Sequence, residues 1–234
     1  SHAYYAPEDL ARGSLIARMD AHTYYPTCYL SAGARRLARG DVDWVSGPQL
    51  AVGIDKWSRR VAAALSSVFG TGGAAFRRAS TEEVEVDSGF TGIWRRDVLE
   101  RYEGWDDDWP VDQDYELAAR MRRDGSRIVC IPEMAAEYIP RNSLKRLARQ
   151  YWRYGYYRVK TSIAHPESMR RSHVLPPGLA LTVTCAAAAP RPLRRLARLG
   201  LGVYLLAVAY ATLDLARRDD DAEVLWVPAV FMVT

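Results

Sequence analysis

Apolar and polar positions follow two different rhythms along this chain, and the change between them falls near residue 165. Before it, short runs suited to strands are separated by longer stretches with helical spacing. Glu8–Arg12 reads as the end of a helix, Ser14–Met19 as a short buried strand, and Thr27–Arg39 as a helix that Gly40 stops. Asp43–Ser46 begins another strand, and Ile54–Val68 is helical, with Val61, Leu65 and Val68 on one face. Val84–Val86 and Phe90–Trp94 are predicted strands, Asp97–Tyr102 a helical turn, and Arg127–Ile131 a strand. From Asp112 onward, the spacing of Leu117, Ala118 and Met121 predicts a helix that ends at Gly125. Helices and strands alternate throughout, so the expected fold class is α/β, with a sheet covered on its faces.

After residue 165 the pattern loses its polar half. Leu175–Ala189 is apolar and uncharged, Leu199–Leu213 is apolar with an aromatic anchor, and Leu225 opens a third run. Runs of about 15 residues fall short of the roughly 20 that span a bilayer, and they also suit buried core helices. The preceding part already holds its own elements. Residues 1–165 are therefore expected to form one domain and residues 166–234 to form membrane-associated helices. Arg191, Arg194, Arg195 and Arg198 then mark a cytoplasmic loop. With the first domain on that same side, Leu175–Ala189 is expected to be re-entrant or interfacial.

Composition changes this picture in two places. The 234 residues are 49% hydrophobic, enough for one proper core and something more. The net charge of +4 is modest but uneven. Arg141, Lys145, Arg146, Arg149, Arg153, Arg158 and Lys160 are interleaved with Tyr151, Trp152, Tyr154, Tyr156 and Tyr157. Such a stretch suits a single-stranded nucleic acid or the headgroups of anionic lipid. It leads straight into the apolar runs, so a membrane partner is expected and a nucleic acid is not. Cys28, Cys130 and Cys185 show no metal spacing, and an odd, sparse set fits reduced thiols in a cytoplasmic domain.

The candidate chemistry is acidic. Asp112, Asp114 and Glu116 stand at the mouth of a predicted helix, after a Gly- and Trp-rich loop. The helix dipole and free N–H groups account for Asp112 as a cap. Asp114 and Glu116 gain interest from a second acidic point, Asp20-Ala21-His22, where the first strand runs out. On extended backbone, side chains at i and i+2 point the same way, so Asp20 and His22 suit one shared cation, Mg²⁺ or Mn²⁺. The competing reading of that triplet is a solvated strand end.

The text between the two points resembles the family 2 glycosyltransferases of the GT-A fold, above all the membrane-attached, succinoglycan-type transferases of bacterial polysaccharides. Asp20-Ala21-His22 with Thr23-Tyr24-Tyr25-Pro26 resembles their D-x-D motif, and Ser67–Gly73 their glycine-rich loop. Asp87–Arg96, with Gly89, Gly92, Arg95 and Arg96, resembles the strand and turn lining the sugar pocket. Gln113-Asp114-Tyr115-Glu116-Leu117 resembles the E-D motif, and Arg149–Gly155 the late Q-x-x-R-W-type motif. The likeness runs from about residue 11 to about residue 165. His22 stands where the commoner motif has a second Asp, and Gln113 where the base is usually preceded by Glu. The strand–helix–strand unit that holds the nucleotide base in such domains has no counterpart before residue 11, so the chain reads as N-terminally truncated.

The resemblance implies a partial, Rossmann-like GT-A domain followed by membrane helices. It implies inverting transfer of a sugar from a nucleotide-sugar donor to a glycan or lipid-linked acceptor, in cell-surface polysaccharide synthesis at the bacterial inner membrane. Asp114 is the implied general base. Asp20, Gly92, Arg95, Gln150, Trp152 and Arg153 are the implied donor-binding residues, and Asp20 with His22 the implied holders of a divalent cation. Glu116 is expected to position the base or cap the turn. Two other readings stand beside this one: a glycoside hydrolase with two carboxylates, which explains neither His22 nor the apolar runs, and a catalytically silent membrane scaffold.

Overall fold

A computed structural model describes residues 11–67, 70, 75–77, 81–218 and 226–233. Most of the expected loop at Ser67–Gly73, most of Glu8–Arg12 and the start of the run at Leu225 lie outside the described residues. The described chain forms two compact units that interleave along the sequence. The first comprises Ser1–Leu50, Ala75–Tyr138 and Tyr154–Glu167; the second comprises Ala51–Ala74, Ile139–Arg153 and Ser168–Thr234.

The first unit is built on a five-stranded sheet of β1 (Leu15–Arg18), β3 (Trp44–Ser46), β5 (Val84–Glu85), β6 (Gly92–Arg95) and β7 (Ile128–Cys130), in the order β1-β6-β3-β7-β5. A smaller sheet has the order β2-β8-β4, from Thr23–Tyr24, Ala136–Tyr138 and Gln49–Ala51. Only β3 and β7 in the larger sheet pair parallel; β1–β6, β3–β6 and β5–β7 are antiparallel. The expected buried first strand is thus an edge strand. Its alternation of exposed and half-buried residues reflects one covered face.

Helices α1 (Tyr29–Leu37), α3 (Arg96–Arg101) and α4 (Gln113–Arg123) belong to this unit. Leu117, Ala118 and Met121 of α4 are fully buried beside Trp44, Trp94, Leu99 and Ile128, as their helical spacing predicts. Tyr29 and Leu37 of α1 join Val45, Ile93, Val129 and Met134 in a second cluster. Trp44 and Trp94 face each other with ring centroids 4.6 Å apart. Gly92 allows that contact, because a Cβ there would sit 2.2 Å from the Trp44 indole nitrogen.

In the second unit α2 (Lys56–Ser66) starts with a capping box. The Asp55 carboxylate accepts from Trp57 N and Ser58 N at 3.0 Å each, and Ser58 Oγ accepts from Asp55 N at 2.9 Å. Its Val61 and Leu65 pack with Leu147, Val208, Leu215 and the short α8 (Val227–Phe231), which is why α2 groups with the C-terminal helices. Helix α5 (Leu144–Ala164) contributes its first half to this unit and its second half to the first.

Helices α6 (Leu175–Ala188) and α7 (Arg191–Arg218) form a packed hairpin, with Arg198 Nε donating to Ala186 O at 3.2 Å. The 14 residues of α6 reach about 21 Å, short of a hydrocarbon core of about 30 Å. Among the described residues one helix, over Arg191–Arg217, is long and apolar enough to cross a bilayer. The arginines at 191, 194, 195 and 198 fill its first turns, so the expected cytoplasmic loop is helix instead. The turn of Ala189 and Pro190 is too short to place them elsewhere.

Candidate active site

Arg18 closes β1, and its register partner on β6 is Gly92. Immediately after it the backbone leaves the sheet in a turn, with Thr23 N–H donating to Asp20 O at 3.3 Å. The expected extended Asp20–His22 geometry is therefore replaced by a turn that carries both residues. Asp20 N–H donates to the Tyr25 hydroxyl at 2.7 Å, which ties the turn to the start of α1's approach. His22 is exposed, its ring 5.5 Å from that of Tyr138.

The two acidic points meet through Arg18. Its Nη1 donates to Asp114 Oδ1, and its Nη2 lies 3.5 Å from Asp20 Oδ1. Trp105 Nε1 donates to the same Asp114 Oδ1 at 3.0 Å, and the Arg18 guanidinium sits 5.8 Å from the Trp105 ring centroid. Asp114 retains 17% side-chain exposure. Burial pushes its pKa up, Arg18 and the Trp105 hydrogen bond pull it down, and the Asp20 charge pushes it up again. The net direction is upward, which gives the carboxylate a stronger hold on a proton.

Asp112 occupies the N-cap position of α4 but does not cap it. Its backbone is left-handed at φ 64°, and its side chain accepts from Arg158 Nη2 at 2.7 Å instead of from a helix N–H. The Asp112 carbonyl accepts from Tyr115 N at 3.0 Å and Glu116 N at 3.1 Å. With a side chain only 10% exposed and Oδ2 without a hydrogen-bond partner, burial pushes its pKa up to about 7, against the Arg158 charge. Arg158 also lies 3.5 Å from the Tyr115 ring centroid. Lys160 Nζ donates to Asp108 O at 2.8 Å, and Trp109 Nε1 to Thr161 Oγ1 at 2.9 Å, so the second half of α5 fixes the loop leading into α4.

Glu116 turns away from this group. It is 1% exposed and accepts from Arg120 Nε at 2.7 Å, with His165 Nε2 3.1 Å away. The expected role for it was to position the base or cap the turn; the structure buries it with both oxygens engaged by Arg120 and His165.

The other expected residues fall elsewhere. Arg95 pairs with Asp43 and Asp97 at 3.3 Å each, and its register partner is Leu15, at the far end of β1 from Arg18. Gly92 lies at the near end, but its open side is filled by Trp44. Gln150, Trp152 and Arg153 belong to the part of α5 in the second unit, with Trp152 82% exposed. Arg18, Trp105 and Arg158 were missed by sequence reasoning. Arg18 carried a signal, since i and i+2 on a strand share a face with Asp20; Arg158 carried none.

A divalent cation fits the donor set of the Asp20–Thr23 turn: one hard carboxylate and one solvent-facing imidazole. Mg²⁺ and Mn²⁺ accept such a partial set and fill the remaining positions with water or phosphate oxygens. Among the described residues no group of three or more His, Cys, Asp or Glu side chains forms a complete metal cage.

The chain is similar to several known proteins. A family model described as glycosyl transferase family group 2 matches residues 15–233. The succinoglycan biosynthesis protein ExoA of Rhizobium meliloti (strain 1021) is 28% identical over 161 residues, which is 68% of this chain and 48% of the relative. The chain therefore spans about half the length of that curated relative. A solved structure of the mannosyltransferase PcManGT from Pyrobaculum calidifontis, in complex with GDP-Man and Mn²⁺, aligns at a TM-score of 0.47 and 18% identity, over 93% of this chain and 61% of that one. With the family model covering nearly all of it, the chain belongs to glycosyl transferase family group 2.

Proposed function

We propose that this chain is the catalytic part of an inverting glycosyltransferase, which moves a sugar from a nucleotide-sugar to a glycan or lipid-linked acceptor in bacterial polysaccharide synthesis. The family assignment and the relative's role in succinoglycan biosynthesis support the class. The single observation that carries the mechanism is Asp114, held on one oxygen by Arg18 and Trp105 beside Asp20. A carboxylate with an upward-shifted pKa and its second oxygen clear of those two donors suits abstraction of a proton from an acceptor hydroxyl. Asp114 takes that proton as the hydroxyl oxygen attacks the anomeric carbon, and the nucleoside diphosphate leaves from the opposite face. Asp20 and His22 are the residues that would hold a divalent cation, which supplies charge neutralisation for the leaving diphosphate. Arg18 keeps the two carboxylates apart in charge by standing between them. Gln150, Trp152 and Arg153 are proposed donor and acceptor contacts on the strength of the motif alone.

The proposed setting is the inner membrane, with the catalytic unit cytoplasmic. Besides α7, helix α5 supports this. Trp152, Tyr156, Val159 and Ile163 are all exposed and recur at i, i+4, i+7 and i+11, a continuous apolar stripe. Arg149 and Arg153 flank it, as at an interface with anionic lipid.

The deciding experiment uses membranes carrying the protein, Mn²⁺ and a panel of UDP- and GDP-sugars, with nucleotide release followed in the presence and absence of lipid-linked acceptors. Asp114→Asn should lower release by about a thousandfold while leaving donor binding intact. Equal release by variant and wild type removes Asp114 from the chemistry. No release from any donor turns the weight to a silent scaffold.

A further inference from the structure

Between α3 and α4 the chain makes a turn that leads directly into Trp105. Helix α3 ends in a Schellman motif: Gly104 N–H donates to Leu99 O at 2.9 Å and Glu103 N–H to Glu100 O at 3.1 Å. Two successive residues are left-handed, Glu103 at φ 56° and Gly104 at φ 65°. Glycine is the residue suited to that conformation, yet the first of the two positions is a glutamate, which strains the turn unless something outside it holds it.

Arg120, a full helical turn and more along α4, supplies the hold. Its Nη1 donates to Tyr102 O and its Nη2 to Gly104 O at 2.8 Å, so both carbonyls flanking the strained residue are fixed by one planar guanidinium. The guanidinium is itself fixed. Nε reaches Glu116 Oε1 at 2.7 Å and Nη2 reaches Glu116 Oε2 at 2.8 Å, and Glu116 Oε1 also faces His165 Nε2 at 3.1 Å. The residue after Gly104 is Trp105, whose ring packs edge-on against buried Trp94 at 5.3 Å and whose N–H ends on Asp114. An unbroken path of contacts thus runs from Glu116 through Arg120 and the turn to the indole and back to α4 at Asp114.

We infer that Arg120 is a positioning residue for Asp114, acting through the Tyr102–Gly104 turn and the Trp105 indole N–H. It fixes which oxygen of Asp114 is occupied by donors and therefore which one faces a substrate hydroxyl. The inference rests on the reading of Asp114 as base for its catalytic consequence, but not for its structural part. Lysine cannot replace the fork, since its single ammonium cannot bridge two carbonyls and a carboxylate with fixed planar geometry.

The test reads Trp105 directly, in ¹⁵N-indole spectra of the full 234-residue chain, with the resonance assigned by its loss in Trp105→Phe. In the wild type the Trp105 N–H signal should move with pH as Asp114 titrates, and Asp114→Asn should abolish that movement. Arg120→Lys should shift the signal toward that of a solvent-bonded indole and remove its titration. Gly104→Ala, which disturbs the turn while leaving the Arg120–Glu116 pair in place, should give the same signature if the lysine variant does not fold. In the transfer assay, Arg120→Lys and Trp105→Phe should each lower kcat by about tenfold to a hundredfold with KM little changed, and the double variant should be no worse than either. An unmoved Trp105 signal in both Arg120→Lys and Gly104→Ala overturns the inference. A moved signal with unchanged kcat upholds the positioning and rejects Asp114 as the base instead.

Discussion

Asp114 and Glu116 stand two residues apart on one helix and meet opposite surroundings. Glu116 has both oxygens engaged, by Arg120 and His165, and is closed to solvent. Among the described residues Asp114 is held through Oδ1 alone, by Arg18 and Trp105, and keeps a sixth of its side chain in contact with solvent. A buried carboxylate with both oxygens bound is poorly placed to meet a substrate; one anchored on a single oxygen is oriented and still available. A carboxylate side chain and a place in the first turn of the helix do not separate the two. The number of donors around each does.

The largest expected effect breaks the structural member of the pair. Glu116→Ala leaves the part-buried Arg120 guanidinium without its carboxylate and the buried pocket around Glu116 empty, which should cost about 3 kcal/mol of stability, read as a fall in the denaturant midpoint. Asp114→Asn keeps the size and an acceptor oxygen for Arg18 and Trp105, and should change stability by less than about 1 kcal/mol. If the two variants exchange these outcomes, the division of roles is wrong.

That division was only half legible in the sequence. Spacing placed Leu117, Ala118 and Met121 in the core and the helix between Asp112 and Gly125, because burial enforces periodicity. It did not separate Asp114 from Glu116: Arg120, four residues on, was a signal for pairing with Glu116, but Arg18 and His165 are distant in sequence and reach the two carboxylates only through the fold. The extended backbone expected from Asp20 to His22 was not legible for a local reason: a turn from Asp20 to Thr23 replaces it, and no strong turn former such as Gly or Pro announced it. Asp112 misled for a related reason. An aspartate before a helix is the usual sign of a cap, but Arg158, from the second half of α5, takes its oxygen in place of the free N–H groups.

Asp112 offers the next sharpening, because it is buried like Glu116 yet incompletely satisfied. Its carboxyl stays protonated up to about pH 7 in the fold, against an ordinary value near 3.8. The native state therefore binds the extra proton between those values, and the stability that the neutral form confers is present at low pH and lost as pH rises through 7. Asn cannot ionise and is spared that loss. Between pH 5 and pH 8 the stability of Asp112→Asn should rise relative to wild type by about 2–3 kcal/mol, measured as paired denaturation curves across that range. A difference that stays flat with pH would mean that Asp112 remains ionised against Arg158, and that it belongs with Glu116 as a satisfied anion.

The smallest expected effect concerns Arg95, which the sequence motif assigned to the donor and the sheet register assigns to the opposite end of β6. Gly92 faces Arg18, whereas Arg95 faces Leu15, three residues and about 10 Å further along the strand. Its ion pairs with Asp43 and Asp97 are part-exposed, and pairs of that kind contribute about 0–1 kcal/mol. Arg95→Ala should therefore lower stability by less than about 1 kcal/mol and leave kcat/KM within about twofold of wild type. Asp43→Asn, at the other end of the same pair, should match it in stability and in activity alike. A tenfold loss of kcat/KM in Arg95→Ala that Asp43→Asn does not share would return Arg95 to the donor site. Donor recognition would then reach along the whole length of β6 and would not be confined to the end where Arg18 joins Asp20 to Asp114.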